Sequence, residues 1–156
     1  MVHRGIATIS GVMMLCFLSF AQTDEQFFFL HFYESLIYLA IILMLFYLED
    51  RWAYMLGMLA PAVWILWTIG NGGLLGAIRQ ISNSVSSGTR PPGISVMTLV
   101  TVLVGILMIG FCAQRWKREF AGLGKGWSTF LASLVIIIVY YGILWFWFGS
   151  LFPRGD

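Results

Sequence analysis

Charged side chains are scarce in this sequence: nine Lys and Arg and seven Asp and Glu amount to 10% of its 156 residues. Soluble domains carry about a quarter charged residues, so this chain could not cover a water-exposed surface. Hydrophobic residues, by contrast, reach 60%. This balance predicts a protein embedded in lipid, which accepts apolar surface without penalty. The net charge of +2 is small and the basic residues are dispersed, which excludes a nucleic-acid-binding face.

Residues that carry chemistry are also few, with two histidines and two cysteines in the whole sequence. Cys16 and Cys112 each lie within an apolar run, and no CxxC motif occurs. Haem attachment, zinc ribbons and thiol redox chemistry therefore have no support. The sequence contains no recognisable Ser-His-acid arrangement, paired catalytic carboxylates or metal-ligand cluster. We therefore predict a chain that is not an enzyme and binds no cofactor or metal.

Apolar segments dominate the chain, and a membrane-spanning helix needs roughly 20 such residues. The predicted spans are 5–21, 27–48, 52–70 with an interfacial extension to 81, 94–113 and 127–149. They predict an all-α, polytopic transmembrane helix bundle that forms one integral membrane domain over 1–156.

The first span has two interpretations. It is short, follows His3 and Arg4, and ends in Ser19-Phe20-Ala21, a pattern typical of a signal peptide cleaved after Ala21. It is equally consistent with a retained first helix. The bundle therefore has five spans, or four after cleavage.

The basic residues predict an orientation, because cytoplasmic loops carry an excess of Lys and Arg. If the spans alternate, three basic residues fall on one side: Arg79, Arg90 and Arg154. Six fall on the other: Arg4, Arg51, Arg115, Lys117, Arg118 and Lys125. We expect a multi-pass protein of a bacterial cytoplasmic membrane, with a cytoplasmic N-terminus and a cytoplasmic loop at 114–126.

The second span carries a polar stripe: His31, Glu34, Ser35 and Tyr38. The last three residues follow His31 by three, four and seven positions, so all four lie on one helix face. A carboxylate inside a span costs a few kcal/mol on insertion scales, so we expect the stripe to face the bundle interior or a partner. It could be a structural hydrogen-bonded stripe, a contact face within a larger complex, or a proton or ion relay. Bis-histidine haem ligation is disfavoured, because His3 is predicted at the opposite membrane face.

The third span contains Pro61 and then a glycine-rich run that begins at Asn71. Pro61 predicts a kink, and the stretch to Ile81 is too long for one straight span, so we expect a break near Asn71. Gly72 and Gly76 are four residues apart, a pattern typical of close helix packing. A broken helix can also line a transport site.

Basic and aromatic residues alternate in the predicted cytoplasmic loop. Its basic members are Arg115, Lys117, Arg118 and Lys125. Such a loop favours binding of anionic lipid headgroups, at about 1 kcal/mol per base, or docking of a cytoplasmic subunit.

Two classes of function fit these features. The leading hypothesis is a non-catalytic accessory subunit of a larger membrane complex of respiratory or photosynthetic type, with lipid and other membrane subunits as partners. The alternative is a small homo-oligomeric transporter or channel that uses the intramembrane carboxylate of Glu34.

Overall fold

A computed structural model describes residues 3–23, 25–47, 50–120 and 126–148, and these ranges contain helices and turns without strands. The helices are α1 (His3–Thr23), α2 (Phe28–Tyr47), α3 (Asp50–Gly70), α4 (Gly73–Ser86), α5 (Gly93–Phe120) and α6 (Gly126–Phe148), with a 3-10 turn at Glu25–Phe27. Five of them, all except α4, are long and apolar enough to cross a membrane. This confirms an all-α protein with five candidate spans.

The outer surface of the bundle is apolar, as lipid requires. Large side chains such as Phe29, Leu103 and Phe146 are mostly exposed. Soluble monomers rarely expose this much apolar area, whereas helices that face the hydrocarbon core of a membrane do so commonly. The chain is therefore an integral multi-pass membrane protein.

The core lies among α1, α2, α3 and α5. The ring of Phe17 on α1 is fully buried, stacks on Tyr38 of α2 at a centroid distance of 5.4 Å, and meets Trp64 of α3 edge-on at 5.3 Å. In lipid, such van der Waals packing is a main source of helix association. Helix α1 thus packs directly against α2 and α3.

Small residues bring α3 and α5 close together. A Cβ added at Gly57 would lie 2.7 Å from Cys112 Sγ, and one added at Gly105 would lie 3.3 Å from Pro61 Cβ. A side chain at either glycine would require its neighbours to shift. The order of these contacts, Gly57 with Cys112 and Pro61 with Gly105, shows that α3 and α5 run antiparallel.

The close packing predicted at Gly72 and Gly76 is not present between helices of this chain. A Cβ at either residue would meet nothing within 4 Å. Gly72 instead has a φ of 71°, in the left-handed region, and separates α3 from α4. Glycine is favoured there because it has no Cβ to clash. The predicted break near Asn71 is confirmed, while Pro61 lies inside an uninterrupted α3.

Two helices are longer than the sequence predicts. The α4 helix continues to Ser86, past the predicted end of the interfacial extension at residue 81, and α5 continues to Phe120, into the predicted loop at 114–126. Arg and Lys are good helix formers, and Lys117 and Arg118 complement the partial negative charge at the C-terminus of α5. Lys125 and Arg154 lie outside the described residues.

The bundle has two ends, named here after one residue each. At the Arg115 end, α3 begins and α5 finishes, and the rings of Tyr54 and Phe120 lie 6.1 Å apart. At the Asn71 end, α3 finishes and α4 begins, and Ser95 near the start of α5 hydrogen-bonds Gln80 of α4.

Helix α6 lies beside α3 and has only slight contact with α2. Its hydrogen bond from Tyr141 OH to the Ala60 carbonyl of α3 is long, at 3.4 Å. Toward α2, Tyr140 stacks on Tyr33 at 4.5 Å. Each of these two hydroxyls donates to the other residue's backbone carbonyl. This tyrosine pair is the principal link between α2 and α6.

Candidate functional site

Glu34 on α2 is a carboxylate inside the bundle, with 7% of the residue exposed. It lies about 9 Å along the helix from Phe28, since each residue adds about 1.5 Å. His31, one turn earlier, places its Nδ1 2.8 Å from Glu34 Oε2. The imidazole is itself held against the ring of Phe20 on α1, at 5.3 Å. This hydrogen bond, charge-assisted when both groups are ionised, offsets part of the cost of burying Glu34.

The remaining stripe residues make separate contacts. Ser35 Oγ donates to the Phe32 carbonyl of its own helix at 2.6 Å. Tyr38 is fully buried, and its hydroxyl finds no hydrogen-bond partner among the described residues. The stripe therefore faces the interior of this chain's own bundle, and only His31 and Glu34 within it are directly hydrogen-bonded to each other.

Glu34 lines a small cavity with aromatic walls, here called the aromatic cavity. Its volume is about 140 Å³. Its principal walls are Trp64 and Trp67 of α3 with Tyr141 and Trp145 of α6. The indole rings of Trp67 and Trp145 lie 5.2 Å apart and nearly perpendicular, at 79°. A single carboxylate thus lies in an otherwise mainly aromatic and aliphatic enclosure.

Glu34 also lines a second, more polar cavity at the Asn71 end, here called the vestibule, with a volume of about 250 Å³. Its polar lining is His31, Glu34, Thr68, Asn71 and Thr98. The break between α3 and α4 forms part of this lining, because Asn71 and Gly73 both border the space. Trp64 and Trp67 line both cavities, so the two spaces adjoin each other beside Glu34.

A third space, here called the lateral groove, opens between α2 and α6. It measures about 580 Å³, and its lining is apolar apart from Tyr33. Phe29, Phe32 and Ile143 are among its walls. Leu144 lines this groove, the aromatic cavity and the vestibule. The lateral groove and the two cavities beside Glu34 therefore border the same side chain.

The sequence pattern predicts a site at Glu34 but not the aromatic wall around it. One signal of that wall is present in the sequence: Trp64 and Trp67 are three residues apart and Tyr141 and Trp145 four apart, so each pair shares a helix face. The position of Trp145 near the end of the predicted span 127–149 by itself favours a ring at the membrane interface. Nothing in the sequence indicates that the faces of α3 and α6 meet across Glu34.

The other predicted site residues lie away from Glu34. Arg115, Lys117 and Arg118 occupy the last turns of α5, and Arg115 Nη1 is 3.9 Å from Glu119 Oε1. Gly72 is in the turn at the Asn71 end. Among the described residues, no group of three or more His, Cys, Asp or Glu side chains could hold a metal ion.

Comparison with models of known protein families, with curated protein sequences and with solved structures finds no significant match to this chain. The function of this protein is therefore inferred from the geometry around Glu34.

Proposed function

We propose that this protein is a small membrane transporter in which the Glu34 carboxylate binds the transported ion or a coupled proton. The supporting observation is that Glu34 is buried within a span and yet borders two cavities. Ionisable groups inside membrane helices are costly, and they commonly mark substrate or ion pathways.

The surroundings of Glu34 favour a transporter over a continuous pore. The vestibule reaches Glu34 from the Asn71 end. Toward the Arg115 end, α2 continues through Tyr38, Ile41 and Leu45, and all three side chains are buried. A site open toward one end and closed toward the other matches one state of an alternating-access cycle.

The slight contact between α6 and α2 supports the same proposal. Alternating access requires one part of a bundle to move against another. The α2–α6 contact depends mainly on one tyrosine pair, and α6 supplies two walls of the aromatic cavity. A shift of α6 would therefore open or close the space beside Glu34 directly.

We further propose that the Arg115 end is cytoplasmic, in a bacterial cytoplasmic membrane, with α4 at the opposite interface. The proposal is supported by the basic residues at that end, Arg51, Arg115, Lys117 and Arg118, under the positive-inside rule. The vestibule would then open on the non-cytoplasmic side. The basic C-terminus of α5 would bind anionic lipid or a cytoplasmic subunit.

A second proposal is the non-catalytic accessory subunit of a larger membrane complex. The observation in its favour is the wide apolar face of α5 and α6, which includes Leu103, Phe111, Val135 and Phe146. A second copy of this chain or another subunit could cover this face as well as lipid does. Purification in mild detergent tests this: stoichiometric larger subunits favour the accessory role, and a homo-oligomer without companions favours the transporter.

Transport is tested in liposomes containing the purified protein. Uptake of protons, potassium, chloride, choline and glycerol is compared with uptake by empty liposomes. We expect at least one solute to enter faster with the protein and the gain to disappear with Glu34→Gln. Glu119→Gln, a carboxylate change near the Arg115 end, should keep the wild-type rate. If no solute enters faster than in empty liposomes, or if Glu34→Gln transports normally, the proposal is wrong.

A further inference from the structure

We infer that the aromatic cavity binds a small organic cation of the alkylammonium class, with Glu34 as its counter-ion. This inference rests on the proposed transport function, since it names the chemical class of the substrate. Three features of the cavity support it: its walls, its charge and its size.

The walls match the chemistry of an ammonium group that carries alkyl substituents. Three indoles and one phenol line the cavity: Trp64, Trp67, Trp145 and Tyr141. Aromatic faces attract cations through the ring quadrupole, and Trp is the most effective. Because Trp67 and Trp145 stand at 79° to each other, the cavity is bordered by ring planes in different orientations. An alkylated cation can contact such walls from several sides at once.

Among the described residues that line the aromatic cavity, the only carboxylate is Glu34, and no basic side chain accompanies it. Within the part of the chain that the structure describes, neither Lys nor Arg lines the vestibule either. His31 Nδ1 is hydrogen-bonded to Oε2 of Glu34, and His31 borders the vestibule but not the aromatic cavity. The imidazole that pairs with Glu34 is therefore not part of the aromatic cavity, which leaves room there for a cation.

Other ligand classes fit less well. Calcium takes six to eight oxygen ligands and magnesium retains several waters, whereas the lining of this cavity is almost entirely carbon. An anion would meet Glu34 without a basic partner. A neutral apolar molecule would gain nothing from the carboxylate, whose burial is costly.

The size of the cavity sets an upper limit on the ligand headgroup. A core cavity of about 150 Å³ accepts a molecule as large as benzene. The aromatic cavity, at about 140 Å³, therefore has room for an ammonium group with a few methyl or ethyl substituents. A longer apolar chain could extend past Leu144 into the lateral groove, which shares that residue.

Choline and its uncharged carbon isostere, 3,3-dimethylbutan-1-ol, form a matched pair of probes, since they have nearly the same shape. Binding to the detergent-solubilised protein is measured by titration calorimetry and by tryptophan fluorescence. We expect saturable binding of choline and at least about tenfold weaker binding of the isostere. Glu34→Gln should weaken choline binding by at least about tenfold, and Trp67→Leu by about three- to tenfold.

Two control variants keep this test decisive. Glu119→Gln and Trp127→Leu change a carboxylate near the Arg115 end and an exposed indole, and both should bind choline like the wild type. Each variant is used only if it elutes and melts like the wild type, and Trp67→Phe replaces Trp67→Leu if that variant fails. Absence of saturable choline binding, equal binding of the isostere, or unchanged binding by Glu34→Gln would overturn the inference.

The binding assay and the liposome assay can fail independently. Choline binding without uptake of any solute would support the cation site and contradict transport. Uptake of another solute that requires Glu34, with no choline binding, would support transport and contradict the organic-cation assignment.

Discussion

The α3–α5 and α2–α6 contacts of this bundle differ in kind. Helices α3 and α5 approach so closely that Gly57 and Gly105 have no room for a Cβ without displacing a neighbour. Helices α2 and α6 are linked mainly by Tyr33 and Tyr140, with an apolar groove of about 580 Å³ beside the pair. One contact is made by backbone proximity and the other by two long side chains.

The carboxylate lies between these two regions. Glu34 projects from α2, which packs extensively against α1 in the tight part, toward walls supplied partly by α6. A binding site benefits from this placement, because one side holds the charged group in position while the other can move. Three pairs of substitutions, taken from the largest expected effect to the smallest, test whether the contrast in packing is real.

The largest difference is expected between Phe17→Ala and Phe146→Ala. Phe17 is fully buried between Tyr38 and Trp64, whereas Phe146 on α6 is 85% exposed. Truncation of a buried Phe in a core costs about 3–5 kcal/mol, and truncation of a lipid-facing ring leaves no cavity inside the protein. We expect Phe17→Ala to shorten the thermal half-life in detergent severely and Phe146→Ala to change it little, as followed by size-exclusion chromatography after heating.

The same pair distinguishes the two interpretations of the first span. If residues 1–21 were removed as a signal peptide, Phe17 would be absent from the mature protein and its substitution would not affect stability. The intact mass of the purified chain provides the independent check. Similar half-lives for both variants, with residues 1–21 retained, would contradict the packing of α1 described above.

The next contrast is between Gly57→Ala and Gly142→Ala, which should change stability in opposite directions. The new methyl at residue 57 would lie 2.7 Å from Cys112 Sγ, whereas at residue 142 it would meet nothing within 4 Å. Overpacking costs about 1–3 kcal/mol, while Ala in a helix interior is favoured over Gly by up to about 1 kcal/mol. We expect a lower melting temperature for Gly57→Ala and an equal or higher one for Gly142→Ala.

A double substitution identifies the cause of the Gly57 effect. Cys112→Ala removes the sulfur atom that the added methyl would meet, so Gly57→Ala with Cys112→Ala should lose less stability than the sum of the two single effects. Strictly additive losses would show that Gly57 and Cys112 do not meet.

Sequence patterns predicted the parts of this structure that local physics determines. Length and hydropathy placed five helices, and the run after Gly70 placed the break near Asn71, because both depend on neighbouring residues alone. Both α4 and α5 extend past their predicted C-terminal ends, because the polar and basic residues there continue the helix instead of starting a loop. Hydropathy does not distinguish an exposed loop from an exposed helical turn.

The site was predicted only in part for a related reason. Glu34 is conspicuous because a carboxylate is rare within a span, and its partner His31 follows from helical spacing. The indoles of α3 and α6 are common residues in membrane helices, and their meeting across Glu34 depends on how distant segments pack. The close helix approach was assigned to Gly72 and Gly76 from spacing, whereas the structure places it at Gly57 and Gly105. These two glycines lie on different helices, so no spacing within one segment links them.

The smallest expected effect, and the one that bears most directly on α6, comes from Tyr33→Phe with Tyr140→Phe. These changes keep both rings, which stack at 4.5 Å, and remove the two hydroxyls that donate to backbone carbonyls across the α2–α6 contact. Side-chain hydrogen bonds between membrane helices contribute about 0.6 kcal/mol each on average, so the total loss should be near 1 kcal/mol. Tyr47→Phe, at an exposed position on α2, is the matched control.

The consequence of this double substitution should be local. If the tyrosine pair is the main link, its loss should increase hydrogen exchange in α6 while α3 and α5 keep their protection, because their contact does not involve Tyr33 or Tyr140. A uniform increase along the chain would mean that α6 unfolds with the whole bundle, and the contrast between a tight and a loose region would not hold. An increase confined to α6 would show that the wall beside Glu34 can separate from α2 without loss of the core, which is the motion that the proposed transport would require.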